Sequence, residues 1–183
     1  YAHLITKIYR EGFKMFACNG ILFNHESPVR GETFVTRKII TGLCRIKHAK
    51  QKKLYLGNLD AKRDWGHAED YVEAMWKMMQ KKIPKDYVIA TGKQYSVKEF
   101  VNFCLEELNI KYTWRGKGIN SKCIDSKGNV IIECHKRYFR PLEVHSLIGN
   151  AALAGKELNW YPKKNIKQII KEMIKAEIYK VNN

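Results

Sequence analysis

The chain has 183 residues, of which 45% are hydrophobic and 28% are charged, a balance that is typical of a globular domain and excludes a disordered chain. Its 34 lysines and arginines outnumber its 18 aspartates and glutamates, and the resulting charge of +16 attracts anions such as nucleic acid, anionic lipid or phosphorylated small molecules. No apolar run reaches the roughly 18 residues of a membrane span, and the opening residues do not form a signal peptide, so neither is expected.

The first part of the chain predicts a helix, a strand, a loop and a second helix. Residues 1–13 carry apolar side chains at helical spacing, and residues 18–24 form a short apolar run typical of a buried strand. The polar stretch 25–34 predicts a loop at the carboxyl end of that strand, and residues 35–48 again have helical periodicity. Because the first helix begins at the first residue without an N-cap, we expect the chain to be part of something longer.

The middle of the chain continues this alternation. Residues 54–58 predict a short strand, and residues 60–80 predict a polar loop that runs into a helix. Residues 86–92 predict another strand. The apolar stripe that we expect to face the core on the helix consists of Val72, Met75, Trp76 and Met79.

The last part of the chain opens with a capping box, in which Ser96 is followed three residues later by Glu99, and this predicts the start of a helix. Its core-facing side chains are expected to be Phe100, Val101, Cys104, Leu105 and Leu108. Strands are predicted at 111–114 and 129–134, with a glycine-containing, flexible stretch between them, and a final helix at 165–179. The apolar face of that helix consists of Ile166, Ile169, Ile170, Met173 and Ile174.

Strands alternate with helices throughout, so the predicted fold class is α/β. Several common motifs are absent: there is no P-loop, no G-x-S-x-G and no H-E-x-x-H, and the pair Gly116 and Gly118 lacks the third glycine of a dinucleotide-binding loop. The cysteines are odd in number and contain no C-x-x-C, so we expect reduced thiols in a cytoplasmic protein and no metal site. They are Cys18, Cys44, Cys104, Cys123 and Cys134.

Three loops combine cations with rigid or aromatic residues, and each follows a predicted strand. They are residues 24–30, 62–67 and 137–143. Ligands of α/β sheets bind beyond the carboxyl ends of strands, and the planar arginine fork suits a pyrophosphate. Arg63 and Arg140 could therefore close on one diphosphate, while Glu143 accepts from ribose hydroxyls. The alternative from spacing alone is that these are surface arginines that cap helices and pair with acidic neighbours.

Four motifs in the chain are distinctive: NGILFNHESPVRGETFVTRKI, LYLGNLDAKRDWGHAEDYVEAMW, YVIATG and YFRPLEV. Together they closely resemble the GDP-mannose 4,6-dehydratase family of extended short-chain dehydrogenases/reductases. The resemblance covers nearly the whole chain. It implies that residues 1–183 are the carboxyl half of such an enzyme, with the last Rossmann elements interleaved with a mixed α/β sugar-nucleotide-binding lobe. The glycine loop and the catalytic Tyr-x-x-x-Lys would lie in an absent amino-terminal half.

The resemblance also assigns roles to individual residues of this chain. It implies that His25 and Arg30 bind NADP, and that Arg63, Arg140 and Glu143 bind the diphosphate and ribose of the substrate. The further substrate-binding residues implied are Asn24, Val35, Lys38, Leu56 and Gly57. No catalytic residue is implied among the 183.

The reaction that the resemblance implies is redox-neutral. A hydride leaves C4 of GDP-mannose for NADP, water is eliminated across C5 and C6, and the hydride returns to C6, which gives GDP-4-dehydro-6-deoxy-mannose, a precursor of GDP-fucose and related sugars. The partners expected are GDP-mannose, the amino-terminal half and further copies in a homodimer or homotetramer, with no nucleic acid and no membrane. The chain alone is expected to be inactive.

Two alternatives stay open from the residues. One is a related GDP-sugar reductase or sugar-nucleotide epimerase, and the other is a non-catalytic basic module that binds nucleic acid or another chain. The dispersed lysines and core-facing aromatics argue against the second. The sequence departs from the family pattern at Val29, where arginine is usual, and at His145 and Asn150, where aspartate is usual.

Overall fold

The structure is a computed structural model that describes residues 1–140 and 142–182. Its helices are α1 (Ala2–Gly12), α2 (Val35–Lys47), α3 (Ala68–Met79), α4 (Val97–Glu107), α5 (Ala152–Leu158) and α6 (Ile166–Asn182). Its strands are β1 (Gly20–Leu22), β2 (Asn24–Glu26), β3 (Leu54–Leu56), β4 (Lys62–Arg63), β5 (Trp65–His67), β6 (Tyr87–Ile89), β7 (Tyr95–Ser96), β8 (Tyr112–Arg115), β9 (Lys122–Asp125), β10 (Val130–Cys134) and β11 (Ser146–Leu147). The predicted α/β class is confirmed. None of the described helices is long and apolar enough to cross a bilayer.

The chain divides into two compact units, and each is assembled from three separate stretches. The first unit comprises residues 1–25, 64–94 and 148–165. The second unit comprises residues 26–63, 95–147 and the chain from 166 onward. Neither unit is therefore a continuous segment of the sequence.

The first unit is built on the parallel pairing of β1 with β6, against which α3 and α5 pack. Its buried core consists of Tyr71, Ala74, Met78, Tyr87, Ile89, Ala154, Leu158 and Trp160. The indole Nε1 of Trp160 donates a hydrogen bond of 2.7 Å to the carbonyl of Asp70, so the ring is both buried and satisfied. On α1, Arg10 donates to Asp86 at 2.5 Å, and this hydrogen bond lowers the pKa of the Asp86 carboxyl to about 2.

The second unit contains two sheets. Four strands lie in the order β3-β10-β9-β8, with β10 parallel to β3 and β9 antiparallel to both of its neighbours. Three short strands lie in the order β11-β4-β7, and the parallel register of β4 with β11 places Arg63 opposite Leu147. This pairing brings the segment that precedes β11 next to β4.

Helices α2, α4 and α6 pack together in the second unit. Helix α4 begins with the predicted capping box: the Ser96 hydroxyl accepts from the backbone of Glu99, and the Glu99 carboxylate accepts from the backbone of Ser96 at 2.7 Å. The side chains predicted to face the core on α4 and α6 are all buried, which confirms both faces. The 3.6-residue period is therefore a sound guide where a helix has one apolar stripe.

The predicted core face of α3 is wrong. The four residues expected in the core are exposed, and Trp76 leaves 63% of its surface accessible. The helix instead buries Tyr71, Ala74 and Met78 in the first unit. Apolar residues lie on most of the circumference of α3, so periodicity alone does not identify the buried stripe.

Other differences concern short elements. The stretch between the strands at 111–114 and 129–134, expected to be flexible, contains β9, which is paired on both sides. The strand expected at 18–24 is divided into β1 and β2, and β2 includes the first two residues of the expected loop 25–34. Strands β4, β5, β7 and β11, of two or three residues each, and helix α5, of seven residues, were not predicted, because such short elements have too few positions to establish a period.

A buried ion pair joins two helices of the second unit. Arg37 on α2 donates to Glu177 on α6 at 2.5 Å, and both side chains are almost fully buried. The second guanidinium nitrogen of Arg37 donates to the carbonyl of Pro28 at 3.0 Å. One side chain thus fixes α6 and the loop that precedes α2.

We expect the variant Arg37→Met to lower the free energy of unfolding by about 3–5 kcal/mol, because it leaves the Glu177 carboxylate buried without its partner. The double variant Arg37→Met with Glu177→Leu should recover most of this loss. Urea unfolding followed by circular dichroism measures both, with Arg45→Met, an exposed arginine on the same helix, as the control. A loss below about 1 kcal/mol in the single variant would contradict the role of the pair.

Candidate functional site

Two predicted substrate-binding residues, Lys38 and Gly57, meet Tyr138 where β3 and β10 end in the second unit. Gly57 follows β3 directly, and a β-carbon added to it would lie 2.1 Å from the backbone oxygen of Tyr138. The ammonium group of Lys38, in the first turn of α2, lies 3.4 Å from the centre of the Tyr138 ring. Burial lowers the pKa of Lys38. The structure therefore brings Lys38 and Gly57 together through Tyr138, which the sequence did not identify as a site residue.

The other two residues predicted beside Gly57 differ in accessibility. Val35 is the first residue of α2 and is partly exposed, so its side chain is available to a ligand. Leu56 is 1% exposed, and its carbonyl accepts a hydrogen bond of 2.9 Å from His135. The leucine side chain therefore belongs to the core of the second unit.

A second group surrounds the start of α2. The carboxylate of Glu26, itself 1% exposed, accepts a hydrogen bond of 2.6 Å from Thr36 and lies 3.3 Å from Nε of Arg30. Burial raises the pKa of Glu26, against the opposing effects of Thr36 and Arg30. The guanidinium of Arg30 also lies 3.6 Å from the centre of the Phe34 ring, and its buried Nε has no hydrogen-bond partner among the described residues. Arg30 is thus held in place by an ion pair and a ring contact.

A third group forms where β4 pairs with β11. Arg63 donates to Glu143 at 2.5 Å and to the carbonyl of Val144 at 2.6 Å, and the side chains of Arg63 and Glu143 are mostly buried. Two residues predicted to bind the ribose and diphosphate are therefore neighbours. They form an ion pair, as the surface-pairing alternative also expects.

Arg140 is exposed, and within the described residues no hydrogen bond or ion pair links it to Arg63 or Glu143. The two-arginine clamp on one diphosphate therefore stays a prediction. Pro141, which belongs to the same predicted loop, lies outside the described residues.

The two remaining predicted residues belong to the first unit. Asn24 and His25 lie on β2, which pairs with β5. Nδ1 of His25 lies 2.9 Å from the carbonyl of Phe23, which can only accept, so this nitrogen carries the proton and Nε2 is the acceptor. The His25 ring also lies 5.1 Å from the ring of Tyr71. These contacts fix both the tautomer and the orientation of the imidazole.

Asp64 does not pair with the neighbouring Arg63. Its carboxylate is fully buried and accepts hydrogen bonds from the backbone of Thr91 and Gly92, each at 2.9 Å, and from the Thr91 hydroxyl at 2.6 Å. The backbone of Gly149 also donates to it, at 3.4 Å. Asp64 therefore ties together three loops of the first unit, and its role in the Arg-Asp-Trp motif is structural.

The cysteines are free, and four of the five are buried. Burial raises the pKa of the Cys134 thiol to about 11 and that of Cys44 to about 12. A thiol with a raised pKa is a poor nucleophile and a poor metal ligand. The Cys134 thiol, next to the exposed His135, is therefore suited to packing and not to metal binding or nucleophilic attack.

Comparison with known proteins decides the family. Residues 1–173 match the family profile described as GDP-mannose 4,6 dehydratase. The chain belongs to this family. A relative from Caenorhabditis elegans, GDP-mannose 4,6 dehydratase 2, is 50% identical over 178 residues, which are 97% of this chain and 47% of the relative. GDP-mannose 4,6-dehydratase from Vibrio cholerae serotype O1 is 48% identical over an alignment that covers 97% of this chain and 51% of the relative.

The chain thus spans about half the length of the curated relatives that it matches. Solved structures give the same proportion. RMD from Pseudomonas aeruginosa, complexed with NADPH, superimposes with a TM-score of 0.78 at 16% identity and covers 97% of this chain and 53% of its own. dTDP-glucose 4,6-dehydratase from Bacillus anthracis, in complex with NAD, gives a TM-score of 0.75 at 20% identity over 99% of this chain and 50% of its own. These likenesses establish the fold of the extended dehydrogenases/reductases.

We expect Gly57→Ala to displace the segment that carries Tyr138, because the new methyl group would overlap the Tyr138 carbonyl. The expected result is a loss of about 1–3 kcal/mol in the free energy of unfolding, measured by urea unfolding. The control is Gly12→Ala, where nothing lies within 4 Å of the added carbon. Unchanged stability in Gly57→Ala would refute the close approach.

Proposed function

We propose that this chain supplies the sugar-nucleotide-binding part of a GDP-mannose 4,6-dehydratase, which converts GDP-mannose to GDP-4-dehydro-6-deoxy-mannose and water. The match of residues 1–173 to the family is the observation that carries the proposal. The chain contains cations suited to a nucleotide diphosphate but no Tyr-x-x-x-Lys. Its residues therefore bind and orient the substrate, while the proton transfers require groups that these 183 residues do not contain.

The diphosphate is proposed to bind Arg63 by exchange. Without a ligand, the Arg63 guanidinium bonds to the Glu143 carboxylate. A diphosphate carries more negative charge than one carboxylate and presents two oxygens to the planar fork, so it competes for the same donors. Glu143 is then released to accept from ribose hydroxyls, the role implied by the resemblance, and Arg140 adds the second cation.

The base and sugar are proposed to contact the group at the end of β3 and β10. Lys38 and Gly57 lie against Tyr138, and Val35 is accessible at the start of α2. Tyr138 is 43% exposed, so one face of its ring remains available for stacking on a guanine. Leu56 supports this group from the core, and Asn24 is proposed to contact the substrate phosphate.

The cofactor is proposed to be NADP, held in part by Arg30 and His25. The positively charged guanidinium of Arg30 fits a phosphate, and the fixed tautomer of His25 presents Nε2 as an acceptor in the neutral imidazole. When bound, the nicotinamide supplies the reversible hydride acceptance that makes the reaction redox-neutral. Arg30 contributes positive charge at a fixed position, because Glu26 and Phe34 hold its side chain.

The proposal includes three further expectations about the working protein. It acts in the cytoplasm, in keeping with its free thiols. It functions together with the part of the family's length that these residues do not span, and it assembles as a homodimer or homotetramer. Analytical ultracentrifugation of the complete protein tests the last expectation.

We expect calorimetry to detect GDP-mannose binding by the folded chain, with UDP-glucose binding far more weakly. Arg63→Ala should weaken GDP-mannose binding roughly 10- to 100-fold, because it removes charge-assisted hydrogen bonds worth about 1.5–3 kcal/mol. Arg115→Ala, which removes an exposed arginine from β8, is the matched control and should bind normally. Equal binding of GDP-mannose and UDP-glucose would argue for an epimerase or reductase of broader specificity.

We also expect the purified 183 residues to turn over no GDP-mannose, even with NADP present, because they contain no Tyr-x-x-x-Lys pair. Product formation is measured by chromatography of the sugar nucleotides, with a complete relative from the family as the positive control. Turnover by this chain alone would show that the acid-base groups lie among its own residues and would overturn the proposed division of roles.

A further inference from the structure

A lysine-lined cleft lies in the second unit, away from the groups described above. Its volume is about 1100 Å³, slightly above the roughly 300–1,000 Å³ of typical small-molecule sites, so a small ligand has room to enter. Five lysines line it: Lys47, Lys52, Lys53, Lys111 and Lys127. Apolar side chains, among them Ile46, Ile110 and Ile131, form part of its wall.

The cleft and the candidate substrate residues lie at opposite ends of the same sheet. The cleft is lined by residues 51–53, which precede β3, and by 129–131, where β10 begins. Gly57 and Tyr138 instead follow the other ends of these strands. Strand β10 has five residues, so about 16 Å of sheet separates the two places. The cleft is therefore a separate location.

The positive charge of the cleft is only partly neutralised. Lys53 pairs with Glu133 at 2.7 Å, and the Asp125 carboxylate accepts hydrogen bonds from the backbone of Lys127 and Asn129 in its own turn. The other four lining lysines form no ion pair within 4 Å among the described residues. Glu106 and Glu107, in the last turn of α4, do not line the cleft.

Much of this charge comes from one segment. Residues 45–53 read RIKHAKQKK and connect the last turn of α2 to β3. Lysines near the C-terminal end of a helix interact favourably with its dipole, but that end carries only about half a negative charge. Lys50 serves a different helix, since its ammonium donates to the carbonyl of Val181 on α6. Capping therefore accounts for part of the charge and leaves the lysines of the cleft in excess.

We propose that this cleft binds a small, soluble polyanion that carries several phosphate groups. Ammonium groups bind phosphates as point charges, and a concave site lets several of them act on one ligand. The described lining contains no aromatic side chain and no arginine, so it offers neither the stacking platform of a single-stranded nucleic-acid site nor bidentate forks. These features favour a compact oligophosphate over a nucleic acid.

The test is calorimetric titration of the chain with inorganic tripolyphosphate at physiological salt. A triple variant, Lys52→Gln with Lys111→Gln and Lys127→Gln, is expected to bind at least about tenfold more weakly. The matched control removes three exposed lysines of α6, by Lys171→Gln, Lys175→Gln and Lys180→Gln, and should bind as the unaltered chain does. Circular dichroism confirms that each variant is folded.

Two further arms identify where and what the chain binds. Tripolyphosphate binding at the cleft should persist in Arg63→Ala, although this variant removes a phosphate donor from the sugar-nucleotide residues, and the cleft variant should leave GDP-mannose binding unchanged. Equal weakening by the α6 control would mean diffuse attraction to a charge of +16 and would overturn the proposal. Loss of binding in Arg63→Ala would place the phosphates at the sugar-nucleotide residues and would overturn it too. The chain could also bind a short DNA duplex and fail to bind tripolyphosphate. If the cleft variant then lost the DNA binding, the ligand of the cleft would be a nucleic acid and the proposal of a small polyanion would be overturned.

Discussion

The buried guanidinium of Arg37 is the contact on which the second unit depends most. One nitrogen bonds to Glu177 of α6, and another bonds to the carbonyl of Pro28 in the loop before α2. The packing of α6 on α2 and the path of the loop are thus set by the same side chain. That loop carries Arg30, so the position of a proposed cofactor-binding cation follows from an interaction in the core. An apolar pair of similar volume could replace the attraction between the helices but could not donate to the loop.

Three of the cations proposed to bind the substrate or the cofactor each have a partner. Arg63 has Glu143, Arg30 has Glu26, and Lys38 has the ring of Tyr138. The two ion pairs differ in whether a ligand has to displace the carboxylate. Glu143 is partly accessible and can be displaced, whereas Glu26 is buried and remains beside Arg30. Burial disfavours the charged form of Glu26 and raises its pKa, and Thr36 and Arg30 offset part of this effect because they favour the charged form. Arg30 is thus preorganised, and Arg63 is exchangeable.

The sequence predicts those parts of the fold that local patterns specify. The capping box of α4 and the apolar faces of α4 and α6 are confirmed, since each depends on spacing within one helix. The face of α3 is wrong because its apolar residues surround the helix and only tertiary packing selects Tyr71 over Trp76. The approach of Tyr138 to Gly57 joins positions 81 residues apart, which no local pattern encodes. The resemblance to the family supplies roles for residues, but it does not supply the ion pairs that hold them without a ligand.

The positive charge of the second unit is arranged at both ends of α2. Lys38 lies in its first turn beside Tyr138, and Lys47 lies in its last turn at the lysine-lined cleft. A helix of 13 residues is about 20 Å long, which exceeds the Debye length of about 8 Å at physiological salt. Direct electrostatic effects between phosphates at the two ends are therefore small. Binding at one end of α2 can then affect binding at the other only through a movement of the whole helix. Arg37, one residue before Lys38, anchors that helix to α6. Movement of α2 is thus opposed by the buried ion pair, and the two ends are expected to bind their ligands independently.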